Sequence, residues 1–348
     1  MKQEGIFTTS GISATAEVAF CTTVRVIWKK CLIVVMLLSV TIAAYSQPEV
    51  FELDGLAGPV YYDASKALEE GDAGEIVVVM IHGWGGGLTP LKSRKKLEDA
   101  LGGAYVISPR FPRLQTFDNK NLAVDDRPYW NESWSSDLAV KGDASDDWRG
   151  GGDADGFRMS SFDVIDRIFS KLADRKLYPN LKKVVLAGFS AGGQFVSRYV
   201  AVGRGKVRRG VRVEYAAMSG STYLFFDPES PWHYGLDGRP RYCAGTSLRR
   251  IMSNLCSRRV FYACGELDTG SVSLDMCQQA QGQGLNRRER FENLQKHVHA
   301  YPRWEKMTSF YLIPGIAHEA GKAYLDPVFV DFIRSGSQPA CQSRQLEP

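Results

Sequence analysis

Short apolar runs alternate with amphipathic stretches along most of the chain. This is the pattern of an α/β protein, a mostly parallel central sheet with helices on both faces. The clearest run is Ile76–Ile81 (IVVVMI), apolar throughout, as a strand buried on both faces requires. Further strands are predicted over Ala104–Ile107, Val184–Ala187, Val213–Met218, Arg259–Ala263 and Ser309–Ile313. Helices are predicted over Leu91–Leu101, Phe162–Arg175, Gly192–Val202 and Asp326–Ile333. The last has Asp326 placed to cap it and Pro327 at its first position, where a missing N–H costs nothing. Two stretches break the rhythm. Residues 113–156 are rich in Asp, Trp and Gly, and residues 228–255 carry Pro, Gly, Tyr and basic groups. Both read as insertions, the second as a partial cap.

The amino end reads as an address. Trp28-Lys29-Lys30 precedes the apolar run Cys31–Tyr45, and small residues follow at Ala44 and Ser46. A basic stub, an apolar core and a small-residue exit make a secretory signal, with cleavage expected after Ser46. Residues 1–25 are long and polar for a signal's start, which a start codon assigned too far upstream explains. The expected organisation is a signal region over 1–46 and one domain over 47–348. The expected location is secreted or periplasmic. The apolar run falls short of the roughly 18 residues that a membrane-spanning helix needs, so no stable insertion is expected once the signal is removed.

Composition narrows the picture. The 348 residues are 44% hydrophobic and 24% charged, ordinary for a globular chain. Forty-three basic and 39 acidic groups leave a net charge of +4, too balanced for a nucleic-acid partner. Of seven cysteines, Cys21 and Cys31 lie in the signal region; Cys243, Cys256, Cys264, Cys277 and Cys341 remain. No C-x-x-C pair accompanies them, so a structural zinc is not expected. Export makes disulfides available. Cys264 lies in the strand that leads to Asp268, and Cys341 in a polar tail. The expected bridge is Cys243–Cys277, with a local Cys243–Cys256 bridge as the alternative.

The segment Val184–Gly193 (VVLAGFSAGG) carries the strongest chemistry. It places Gly-x-Ser-x-Gly between a buried strand and an amphipathic run. Such a turn lifts the Ser190 hydroxyl into the open, and its glycines let backbone pass without Cβ clashes. The helix beyond it aims its N-terminal N–H groups at developing negative charge. In these residues the chain resembles the α/β-hydrolase superfamily, its serine esterases and lipases. Upstream, His82-Gly83-Trp84-Gly85-Gly86-Gly87 looks like the His-Gly segment after that fold's third strand. The resemblance implies an oxyanion hole made by the backbone N–H groups of Trp84 and Ala191. A phosphate loop is disfavoured, because no Lys-Ser/Thr follows the glycines.

The same resemblance assigns the base and acid. Of five histidines, His318 alone follows a late strand through the turn Pro314–Ala317, where the family keeps its base. His82 belongs to the oxyanion segment, His233 to the second insertion, and His297 and His299 to a polar helical stretch. The acid is expected between nucleophile and base. Arg259–Asp268 ends in a Gly-acid-x-Asp turn, which implies Asp268 as the acid, with Glu266 as runner-up. The implied activity is hydrolysis of a carboxylic ester, small or polymeric, through a Ser-His-Asp triad and an acyl-enzyme, without metal or organic cofactor.

Weaker signals add little. Trp130, Trp134, Trp148, Trp232 and Tyr223 are candidates for an acyl pocket, though ordinary packing explains them as well. Tyr223 is the favoured substrate contact, because it follows the strand Val213–Met218. Asp153-Ala154-Asp155-Gly156 lacks the distal ligands of a calcium loop and reads as solvated. Arg204–Arg212 reads as a solvated basic turn. Asn131-Glu132-Ser133 is a glycosylation sequon only in a glycosylating source. The rival readings are a peptidase or amidase, a hydroxynitrile lyase-type enzyme, and a secreted binding protein that has lost catalysis.

Overall fold

Each predicted strand is present, and most run one or two residues longer than their apolar core suggests. The computed structural model describes residues 49–85, 92–118, 127–130 and 147–335. The signal region, Leu91, Gly86, Gly87, Trp134, the Asn131 sequon, Cys21, Cys31 and Cys341 lie outside them. The strands are β1 (Glu49–Leu53), β2 (Val60–Ala64), β3 (Ile76–Ile81), β4 (Tyr105–Pro109), β5 (Lys183–Phe189), β6 (Arg212–Met218), β7 (Arg259–Gly265) and β8 (Thr308–Ile313). They form one sheet in the order β1-β2-β4-β3-β5-β6-β7-β8. From β4 to β8 all neighbours are parallel, whereas β1 and β2 add an antiparallel edge.

β1 and β2 are absent from the sequence reading for a physical reason. Their apolar pattern is broken by Glu49, Glu52 and Asp63. Asp63 is buried, yet Arg110 grips its carboxylate with two hydrogen bonds of 3.0 and 2.5 Å. A paired buried charge looks, in sequence, like a solvent-facing one.

The two-residue period of the strands divides the core. Val77, Val79, Ile81, Leu186 and Tyr262 face one side, and Val78, Met80, Val185, Ala187 and Phe261 face the other. Among the described residues the helices of eight residues or more are α1 (Lys92–Ala100), α2 (Ser161–Leu172), α3 (Ala191–Val202), α4 (Leu248–Leu255), α5 (Arg287–His299) and α6 (Pro327–Ser335). The first face is covered by α2, α3, α4 and α5 through residues such as Phe162, Phe195, Ile251 and Leu294. The second is covered by α1 and α6 through Leu97, Phe329 and Phe332. All the described residues fall in one compact unit. Among them no helix is long and apolar enough to cross a membrane.

The second insertion is ordered and ends in α4, which Ser247 caps by accepting the Arg250 N–H at 3.2 Å. No disulfide among the described residues holds it. Cys243, Cys256, Cys264 and Cys277 are all free thiols, so neither the Cys243–Cys277 nor the Cys243–Cys256 bridge forms. Cys277 Sγ instead meets the Tyr234 hydroxyl at 2.8 Å, and that hydroxyl donates to Asp275 Oδ2 at 2.6 Å. Trp232 Nε1 donates to Gly150 O at 3.0 Å and ties the insertion to the first one. In that first insertion Asp153 pairs with Arg241 at 2.6 Å, and Asp155 accepts from Tyr129 at 2.6 Å. Both carboxylates are thereby engaged.

Two contacts place the start of α3. A Cβ on Gly192 would lie 2.4 Å from Ile81 O, and one on Gly193 would lie 2.4 Å from Met218 O. The helix therefore presses directly on the ends of β3 and β6. Beside it, buried His82 bridges two loops: Nδ1–H donates to Gly83 O at 2.8 Å, and Nε2 accepts the Phe111 N–H at 3.0 Å. Burial pushes its pKa down to about 4, so the ring is neutral when folded.

Gly192→Ala should destabilise the protein by about 1–3 kcal/mol through overpacking against backbone that cannot yield. Gly245→Ala, at a position with open space around it, should stay within roughly 0.5 kcal/mol. Denaturant unfolding of the two variants checks the contrast. His82 also implies an acid limit. The unfolded imidazole binds a proton below about 6.5 and the folded one below about 4. Stability from this group is thus complete above the unfolded value and is lost as pH falls towards 4, on the order of 3 kcal/mol. His82→Gln should flatten that part of the stability–pH curve, and an unchanged slope would refute the assignment.

Candidate active site

Ser190 follows β5 directly and precedes α3. Its backbone adopts φ 58° and ψ −119°, a conformation that costs a non-glycine residue about 1–2 kcal/mol. Two backbone bonds hold it there: Ser190 N–H donates to Met218 O at 2.9 Å, and Ser190 O accepts from Gln194 N–H at 3.0 Å. A side chain at Gly188 would lie 2.2 Å from Gly192 O, so the reversal from strand to helix needs glycine there. The result is a tight elbow that projects the Ser190 hydroxyl off the end of the sheet.

The loops after β7 and β8 are joined by backbone. Glu266 N–H donates to Ile313 O at 2.9 Å and Leu267 N–H to Ile316 O at 2.8 Å. Gly265 permits this approach, since a Cβ there would sit 2.5 Å from Ala317 O. The pairing sets Asp268 beside His318. His318 Nδ1–H donates to Asp268 Oδ2 at 2.7 Å, and the Ser190 hydroxyl donates to His318 Nε2 at 2.9 Å. The tautomer follows from the partners, because the carboxylate can only accept. Asp268 is 1% exposed, the imidazole 30%. The Phe189 ring backs the imidazole at 4.8 Å between centroids.

Glu266 does not share this arrangement. Its Oε2 accepts the Gly315 N–H at 3.0 Å and so fastens the turn that leads to His318. The remaining histidines are engaged elsewhere. His297 Nε2 accepts the Phe226 N–H at 3.0 Å, His299 pairs with Glu305 at 2.6 Å, and burial pushes His233 well below its ordinary pKa.

Ser190 opens into a cleft of about 100 Å³ whose walls include Trp84, Ala191 and Gln194. Ser221, Ser273, Leu274 and Asp275 come from the loops after β6 and β7, and Arg149 completes the lining. The guanidinium groups of Arg113 and Arg149 lie over the Trp84 ring at 4.5 and 4.4 Å, and Asp147 grips Arg149 with a bond of 2.5 Å. These cation–π contacts fix the loop that carries Trp84 beside the elbow.

Tyr223 has a different place from the one expected. It is wholly buried, stacked edge-on against Tyr262, and its hydroxyl accepts the Gly220 N–H at 3.2 Å. It supports the floor under the loop after β6 and does not line the cleft. Trp130, Trp148 and Trp232 are likewise core residues. The lining residues Gln194 and Leu274 escaped the sequence reading. Gln194 had a usable signal, one helical turn beyond Ser190; Leu274 and Asp275 had only their place after a parallel strand's carboxyl end.

No family model matches the sequence, and no curated protein matches it. Solved structures do. The poly(3-hydroxybutyrate) depolymerase LpqC from Bordetella parapertussis is 17% identical, with a TM-score of 0.59 over 86% of this chain and 93% of its own. Poly(aspartic acid) hydrolase-1 from Sphingomonas sp. KT-1 is 20% identical, with a TM-score of 0.57 over 82% of this chain and 98% of its own. At these identities the likeness concerns architecture alone: with its mostly parallel eight-stranded sheet, the chain has the α/β-hydrolase fold.

Proposed function

We propose that this protein is a serine hydrolase that cleaves carboxylic esters after export. One observation carries the reading: a single hydrogen-bonded line runs from the Ser190 hydroxyl through His318 to buried Asp268, and it begins in an open cleft. The fold shared with a polyester depolymerase and a polyamide hydrolase is compatible with it, but the reading rests on the residues. Export rests on the amino-terminal sequence pattern alone.

In this reading the Ser190 oxygen attacks the ester carbonyl while its proton passes to His318 Nε2. The carbonyl oxygen becomes an oxyanion, met by the N–H groups of Trp84 and Ala191, each worth on the order of 3 kcal/mol in the transition state. Asp268 holds Nδ1–H and stabilises the imidazolium. Collapse breaks the bond to the alcohol oxygen, which leaves with the proton from Nε2. Water then repeats the sequence: His318 takes its proton, hydroxide adds to the acyl carbon, and Ser190 leaves reprotonated with the carboxylic acid released. The modest cleft volume suits a short acyl group, or one unit of a longer chain lying across the opening.

A fluorophosphonate probe should label the wild type at Ser190, and p-nitrophenyl acetate should be turned over. Ser190→Ala should abolish both while leaving the thermal midpoint near the wild-type value; turnover above about a few per cent, in protein free of contaminating esterase, would end the nucleophile assignment. Asp268→Asn should reduce kcat by about 10⁴-fold at neutral pH, because the amide leaves His318 in the wrong tautomer. Glu266→Gln should cost far less. A reversed ranking in steady-state kinetics would move the acid to Glu266.

A further inference from the structure

The second oxygen of Asp268 points away from the imidazole. Oδ1 is buried without a hydrogen bond and faces Arg287, whose Nη1 lies 3.7 Å away. Both side chains are 1% exposed. Arg287 is the first residue of α5, where the helix dipole disfavours a cation, and burial lowers its pKa as well. Two kinds of partner offset those costs. One is the Asp268 charge. The other is a pair of carbonyls, since Nη2 donates to Val272 O at 3.0 Å and to Ser273 O at 2.7 Å.

Those carbonyls belong to the segment that supplies Ser273, Leu274 and Asp275 to the cleft wall. One turn further along α5, Arg290 also holds this wall, but through backbone alone. Its Nη2 donates to Asp275 O at 2.8 Å, Nη1 to Ser221 O at 2.6 Å and Nε to Gly284 O at 2.8 Å. The other groups around the acid are accounted for. Burial pushes the Cys264 thiol up to about 12 and raises the Tyr223 phenol, so both stay neutral. Arg288 pairs with Glu292 at 3.0 Å, and Lys322 with Glu319 at 2.8 Å.

We propose, resting on the serine-hydrolase reading, that Arg287 is the positioning residue of the acid. It draws Oδ1 towards itself so that Oδ2 meets His318, and it fixes that carboxylate and the cleft wall as one unit. Arg290 holds the wall without touching the acid. A carboxylate this buried with a single hydrogen bond needs a fixed counter-charge to keep its orientation. The fork of a guanidinium can meet the carboxylate and two carbonyls together, which an ammonium cannot do.

The test uses the full-length protein with p-nitrophenyl acetate. Arg287→Gln should lower kcat by on the order of 10- to 100-fold, and Arg287→Lys should lower it less. Arg290→Gln should instead raise KM more than it lowers kcat. In an Asp268→Asn background, Arg287→Gln should cost little further, because the group through which it acts is gone. A full Arg287 effect in that background, or a wild-type kcat in Arg287→Gln, would overturn the proposal. Circular dichroism reports folding. If the Gln variant fails to fold, the cycle is run with Arg287→Lys: a loss of kcat that vanishes in Asp268→Asn supports the proposal, and a wild-type kcat overturns it. A wild type that neither turns over ester nor takes the fluorophosphonate label overturns the hydrolase reading itself, before any arginine variant is compared.

Discussion

A helix can press against the carbonyls that end a strand only where it carries no side chain. Gly192 and Gly193 meet that condition at the start of α3, against Ile81 O and Met218 O. This close approach governs the geometry of the whole site. It leaves β5 no room for an ordinary connection, so Ser190 is forced to positive φ and its hydroxyl is thrown clear of the sheet. The strain, about 1–2 kcal/mol, is offset by the two backbone bonds of Ser190, and neither occupies the side chain. The hydroxyl is therefore left for His318. The same approach brings Ala191 and Trp84 to one side of Ser190, where both line the cleft.

Acid and base are registered by backbone, the cleft wall by side chains. The loops after β7 and β8 are joined by amide–carbonyl bonds and the close approach at Gly265, which bring His318 and Asp268 within 2.7 Å of each other. The wall at Ser273–Asp275 has no comparable ladder. Its carbonyls are held by two arginines from α5, and its far side by Tyr234 from the second insertion. A wall hung on side chains can be reshaped by substitution without disturbing the elbow.

How much of this was legible in the sequence depended on whether a residue's role was local. β3 reads correctly to the residue because a strand covered on both faces is apolar at every position. The Gly-x-Ser-x-Gly elbow reads correctly because its geometry is dictated by neighbours in the chain. Ser190, His318 and Asp268 then meet as the family resemblance implied. What depended on distant partners stayed hidden. Asp63 looks exposed until Arg110 is placed beside it. Tyr223 has the right strand end for a substrate contact, yet its ring turns into the core against Tyr262. The cysteines failed similarly: spacing along the chain carries no distance, and Cys277 finds Tyr234 where a bridge to Cys243 was expected. Arg287 and Arg290 precede the polar helical stretch that holds His297 and His299, with nothing local to mark them as supports of an acid and a wall.

The histidines show how partners set a role that residue type leaves open. His82 stands closer in sequence to the Gly-rich loop than any other histidine, but both its nitrogens are bonded to backbone and burial keeps it neutral down to about pH 4. A ring so committed cannot take up a proton without breaking the contacts that hold two loops together. His297 is spent in the same way on the Phe226 N–H and stacks on Phe225 at 4.6 Å. His318 differs in what it faces, a carboxylate on one side and a hydroxyl on the other, with part of the ring open to solvent. The same side chain thus stands as a rigid strut in two places and, in the proposed reading, as a proton carrier in a third, and the difference lies in whether its second nitrogen meets an amide or a hydroxyl.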